Sequence, residues 1–195
     1  MTLQLVSLDC PSCGSALHGE GLDTIFFCDH CGDAAVLSEE GLQMIESSAI
    51  RPSPGRSASQ WRPAWLIEAD VTVGNRVRAK GRRSEGWQAQ RTYIIPAFAI
   101  PLDDLTRISR AFSKAAGETG EVPREPIRGG TLALEDAVTL IRHIVIGDEV
   151  RKSDMLASLE VTIDVEASRL VAIPFGLTKV GLRCSVTGVT VRLTE

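Results

Sequence analysis

Apolar and polar side chains alternate along Leu66-Ile67-Glu68-Ala69-Asp70-Val71-Thr72-Val73, a period of two that predicts a half-buried strand ended by Gly74-Asn75. A polar, basic stretch runs from there to about Trp87. A second apolar segment, Arg91 to Ile100, follows it, so the two strands form a hairpin with a long arginine-rich tip. The period then changes. Leu105, Ile108, Phe112 and Ala115 share one face of a helix that starts at Asp103 and reaches Ala116, with Gly117 as its left-handed stop. Residues 117–130 read as an exposed loop. Leu134, Ala137, Val138, Ile141, Ile144 and Val145 then form a wide stripe on a helix over 133–146. Glu135, Asp136, Arg142 and His143 lie off the stripe, and Gly147 ends the helix. Three strands complete the pattern: Leu159 to Glu166, Arg169 to Leu177, and Gly181 to Leu193 with a turn at Thr187-Gly188.

The first sixty residues have another texture. After a segment of short strands to about residue 37, Ser38 precedes Glu39 and Glu40 as a helix N-cap would, and Leu42, Ile45 and Ala49 fall on one helical face. Pro52 and Pro54 stop that helix, and Arg-Pro-Ser-Pro-Gly-Arg-Ser-Ala-Ser-Gln (51–60) reads as a semi-flexible linker. The expected organisation is a small unit over 1–37, a short helix and linker over 38–60, and a β-rich α+β domain over 61–195. Ile-Pro sits near the end of a strand in each half, at 95–96 and 173–174, which raises the expectation of a duplicated hairpin-helix unit.

With 195 residues and 44% apolar side chains, the chain has enough material for a sizeable core. No apolar run approaches the roughly 20 residues that cross a bilayer. The longest, Tyr93 to Leu102, is broken by Pro96 and Pro101, and no basic leader precedes Cys10. The expectation is a soluble, cytoplasmic protein. Its net charge of −4 conceals an asymmetry: residues 1–50 hold eight acids and no Lys or Arg, whereas residues 51–91 hold nine basic side chains against three acids.

Chemistry concentrates at four cysteines. Cys10, Cys13, Cys28 and Cys31 stand as C-P-S-C-G and C-D-H-C-G, with fourteen residues between the pairs. Two residues between thiols let a tight turn aim both sulfurs at one ion, and Gly14 and Gly32 supply the positive φ such a turn requires. Ser15 to His18, a turn at Gly19-Glu20-Gly21, and a return strand Asp23 to Phe27 fill the interval. Four thiolates favour one tetrahedral zinc ion. Merely buried thiols, a redox C-x-x-C and rubredoxin-like iron are the competing readings, and His18 and His30 read as bystanders because the thiolate set is complete. Residues 10–32 resemble the zinc-ribbon (rubredoxin-like knuckle) family on CPSCG, CDHCG and the aromatic strand Ile25-Phe26-Phe27. That resemblance covers about an eighth of the chain and implies a structure, not an activity.

No Walker A loop, Rossmann fingerprint, G-x-S-x-G elbow or H-E-x-x-H helix is present. His143 reads as solvated, Cys184 as a core side chain beside Leu182 and Val186, Asp103-Asp104 as a helix start, and Asp148-Glu149 as solvated beyond a helix end. No catalytic residue is assigned. The second informative feature is the basic run Arg76, Arg78, Lys80, Arg82 and Arg83 beside Trp87. The leading expectation is a non-enzymatic zinc-binding adaptor or assembly subunit that docks on partner proteins or on its own copies. The alternative is a nucleic-acid-binding accessory protein using residues 76–91. An acidic ribbon lacks the cations that grip phosphates, so it suits a protein surface or the chain's own basic segment better.

Overall fold

A computed structural model describes residues 6–78, 81, 83–115, 117–152 and 156–193. In chain order the elements are β1 (Ile25–Phe27), β2 (Ala34–Ser38), β3 (Gly41–Ile45), β4 (Ser47–Ile50), β5 (Gln60–Arg78), β6 (Trp87–Pro96), α1 (Leu102–Phe112), β7 (Thr119–Gly120), α2 (Leu134–Lys152), β8 (Leu156–Thr178), β9 (Gly181–Cys184) and β10 (Thr190–Val191). The architecture is mixed and strand-rich with two helices behind an N-terminal cysteine cluster, in agreement with the α+β expectation.

β5 is the spine. It pairs antiparallel with β6 on one side and along nearly all of β8 on the other. β8 in turn carries β4 in parallel at Leu170–Ala172 and β9 in antiparallel beyond it. Between Trp61 and Ile67 both faces of β5 are covered. Trp61, Trp65 and Ile67 join a core completed by Ala137, Ile141, Ile144 and Val145 of α2. Ala64 and Leu66 point the other way, into a core completed by Ile108 and Phe112 of α1 with Leu182, Cys184 and Val191. Beyond the bulge at Glu68/Ala69 only the α2 face stays covered, so Ala69, Val71 and Val73 are buried while Asp70 and Thr72 are not. The legible alternation of 66–73 thus marks the one-sided half of a longer strand, since two-sided burial erases the period.

Several expectations change. Residues 156–178 are one strand rather than a hairpin. Continuous pairing with β5 carries it past Ala167-Ser168, and one bulge absorbs Glu166. The echoed second hairpin is therefore not formed. The helix expected after Ser38 is a β-hairpin: Ser38 pairs with Gly41, its hydroxyl donates to the Gly41 carbonyl and accepts from the Glu40 N–H. The same short-range bonding of Ser suits a helix cap or a tight turn, and Gly41 at φ +108° selects the turn. Residues 51–60 are tied down rather than swinging free, because the Ser53 N–H donates to the Ser185 carbonyl and Arg56 donates to the Val186 carbonyl. α1 ends at Phe112 with Ser113 as C-cap, short of Ala116, which lies outside the described residues. Gly117 is required by the Ile50 side chain, 2.3 Å from where its Cβ would stand, not by a left-handed stop. Gly147 lies inside α2, where the Arg110 guanidinium approaches to 2.9 Å of a Cβ position and donates to the Ile144 carbonyl.

The loop 117–130 is largely exposed, as expected, but its end clasps ribbon to body. Ile127 is buried and bridges Trp61, the Trp61 indole N–H donates to Glu125, and Gly130 exchanges backbone hydrogen bonds with Ile25. A Cβ at Gly130 would meet the Ala97 carbonyl oxygen at 2.5 Å and Pro63 at 2.7 Å. Gly130→Ala should therefore cost about 1–3 kcal/mol as an overpacked contact. Urea unfolding, read as a lower midpoint at unchanged slope, checks this.

Candidate metal centre

Two near-identical backbone turns present the cysteines. The Gly14 N–H donates to the Cys10 carbonyl at 2.8 Å and the Gly32 N–H to the Cys28 carbonyl at 2.9 Å. Each turn closes with a second bond, from the Cys10 N–H to Ser15 at 2.7 Å and from the Cys28 N–H to Asp33 at 2.8 Å. Gly14 and Gly32 stand at φ +73° and +82°, as the spacing predicts. The four sulfurs lie within 4.8 Å of one another, with Cys10 and Cys31 at 3.6 Å and Cys13 and Cys28 at 3.5 Å.

That geometry fits a tetrahedral ion: bonds of about 2.3 Å place sulfurs about 3.8 Å apart. Cys10 and Cys28 are buried and Cys13 and Cys31 exposed, so the cluster is anchored on one side and open on the other. The sulfurs differ as acids. A hydrogen bond from the Ser15 side chain leads in lowering the Cys13 thiol to about 6, whereas desolvation pushes the Cys10 and Cys31 thiols up. An ion bound by all four thiolates would therefore displace protons. His18 and His30 are exposed and stand outside the cluster.

The ribbon rests on its own body. Of its apolar residues, Ile25, Phe27 and Ala34 enter the core that holds Trp61, Trp65 and Ile127. Leu17, Phe26 and Ala35 pack instead with Cys10 and Cys28 behind the metal site. The return strand expected at Asp23 to Phe27 is β1, but it pairs with β2 rather than with residues 15–18. Cations of the body face the acidic ribbon: Arg128 bonds Glu20 at 3.0 Å, and Arg62 lies within the fields of Glu20 and Asp23. Burial, foremost, lowers the Arg62 pKa, and those two acids oppose the change. Among the described residues, the ribbon meets basic side chains of its own chain at Arg62 and Arg128.

That run is partly committed elsewhere. Arg76 pairs with Glu149 at 3.2 Å, and their side chains are 14% and 2% exposed. The Trp87 indole N–H donates to the same carboxylate at 3.0 Å and Lys152 does so at 2.9 Å. Lys152 and Arg91 also lie against the Trp87 ring, 5.7 Å and 4.6 Å from its centre. Glu149 is thus the buried hub that fixes the hairpin tip to the last turn of α2, where the sequence suggested a solvated acid beyond a helix end. Arg78 is half-buried, Arg83 is exposed, and Lys80 and Arg82 lie outside the described residues. The one local signal in the sequence is Glu149-Lys152, an i,i+3 pair.

A second buried acid holds the C-terminal strand. Asp104, in the first turn of α1, accepts from the Arg192 N–H at 2.9 Å, the Arg192 guanidinium at 3.1 Å and Arg107 at 2.7 Å. Burial alone would raise its pKa, but these donors outweigh it and hold the carboxyl below its ordinary value. Asp103-Asp104 is a helix start, as expected, and Cys184 is fully buried in the α1-side core. His143 is exposed on α2.

Comparison with protein families, with curated proteins and with solved structures finds no match for the chain. Among the described residues, no helix is long and apolar enough to cross a membrane.

Proposed function

We propose that the cysteine cluster holds one structural zinc ion and that the chain is an adaptor or assembly subunit whose zinc-stabilised ribbon docks on a partner protein. Zinc is favoured because four thiolates at tetrahedral spacing match its preference and leave no position open for a substrate. The observation that carries the docking reading is Leu22, 85% exposed on the ribbon turn beside Asp23. A large apolar side chain presented to solvent at this turn suits a partner surface with an apolar pocket. Met44, 42% exposed on the end strand β3, extends the same offer.

The experiment compares affinity purification of the wild-type chain from its native host with that of Leu22→Glu. Under this reading a defined protein co-purifies with the wild type and is lost from a variant that retains zinc and Tm. The nucleic-acid alternative gains support if RNA or DNA co-purifies instead, is released by salt, and is lost in Arg83→Glu. Retention of every bound protein by Leu22→Glu refutes the docking reading.

A further inference from the structure

α1 and α2 meet the edge of β6 around a cavity of about 320 Å³. Arg91, Thr92 and Tyr93 line it in succession, which places it at the strand edge, since alternate residues of a strand face opposite ways. Ser109, Arg110 and Ser113 of α1 and Asp148 of α2 form the opposite wall. Two features separate this cavity from an ordinary surface dip. The Tyr93 and Ser109 side chains are more than nine-tenths buried, and among the described residues neither hydroxyl has an acceptor; the Arg91 guanidinium beside the Tyr93 hydroxyl can only donate to it. A buried hydroxyl left unsatisfied costs about 1–3 kcal/mol, so two beside one cavity call for an occupant that accepts hydrogen bonds. The second feature is charge. Arg110 is matched by Asp148 at 2.8 Å, which leaves Arg91, held over the Trp87 ring, as the uncompensated cation of the wall. Burial, foremost, raises the Tyr93 phenol pKa, so the phenol stays protonated as a donor at neutral pH.

We infer that this cavity binds a small oxyanion, a carboxylate or a phosphate group, which accepts from the Tyr93 and Ser109 hydroxyls and pairs with Arg91. One negative charge balances the lining, and a planar guanidinium with two hydroxyl donors matches the lone pairs of either oxyanion. The inference does not depend on the docking role of the ribbon.

Tyr93 is the only tyrosine in the chain, so its ring carbon beside the hydroxyl is a single reporter. The zinc-loaded full chain, labelled with 13Cζ-tyrosine, is titrated with inorganic phosphate and separately with acetate, at ionic strength held constant with chloride. The expected result is a saturable shift of the one resonance with phosphate, acetate or both, and the tighter of the two identifies the group. Half-saturation should move at least tenfold higher in Ser109→Ala and in Arg91→Gln. Ser109→Ala removes an unpaired hydroxyl and should keep the wild-type Tm without ligand, so lost binding there is not lost folding. The proposal is overturned if both anions give only the drift seen with chloride, or if the shift survives both substitutions unchanged. A large fall in Tm for Ser109→Ala also overturns it, because the hydroxyl would then be satisfied within the protein.

Discussion

Cys28→Ser lowers the unfolding temperature of the whole chain in one transition, by more than about 10 °C, and chelation under reducing conditions does the same. A structural zinc site contributes about 10–16 kcal/mol of apparent binding free energy in small domains, comparable with the total stability of many proteins. What decides the extent of the damage is where the ribbon's apolar residues go. Ile25, Phe27 and Ala34 are buried with Trp61 and Ile127 in the core that α2 closes, and Gly130 bonds the Ile25 backbone. Losing the metal frees the second cysteine turn and with it the β1–β2 pair, which opens that core. Differential scanning calorimetry checks the outcome. A low-temperature transition for the ribbon, followed by a body that melts at the wild-type temperature, would contradict it.

Glu149→Ala should cost about 1–3 kcal/mol, the usual penalty for removing the acceptor of buried hydrogen-bond donors. Arg76, with its 14% exposure, and the Trp87 indole N–H would both lose the Glu149 carboxylate. The same group gives a pH signature. Burial alone would raise the Glu149 pKa, but the Lys152 and Trp87 hydrogen bonds and the charges of Lys152 and Arg76 outweigh it and hold it below its ordinary value. A carboxyl with a depressed folded pKa stabilises above its unfolded value of about 4.3 and loses that contribution as pH falls through the folded value. Wild-type stability should therefore decline on acidification below about pH 4.5. Glu149→Gln should be less stable at pH 7 and show a flatter decline, the remainder belonging to Asp104. Denaturant midpoints between pH 7 and 3 measure both effects. Equal slopes for variant and wild type would show that Glu149 is not ionised in this pair.

The cysteine turns were legible because their determinants are local. Two residues between thiols and a glycine after each pair specify a backbone shape that no distant contact needs to complete. α1 and α2 were legible from their stripes, and the β5–β6 hairpin from the alternation near Val71. Failures came where tertiary pairing overrides local preference. Ser38 bonds equally well to a helix start or a hairpin turn, and only the pairing of β2 with β3 chooses. Gly147 reads as a stop until Arg110 and Asp148 tie the middle of α2 to α1. The clasp at 117–130 is polar, Gly-rich and Pro-containing, so nothing in its composition announces that Ile127 and Gly130 join ribbon to body. The Tyr93–Ser109 cavity arises from three separated elements, and no spacing in the chain encodes it.

Metal analysis of freshly purified, reduced protein, with X-ray absorption at the zinc edge, tests the central claim most directly. One zinc per chain, bound by four sulfurs at about 2.3 Å and absent from Cys28→Ser, is the predicted result. Protein that is folded yet free of zinc, or zinc bound through nitrogen or oxygen at His18, His30 or Asp33, would contradict it.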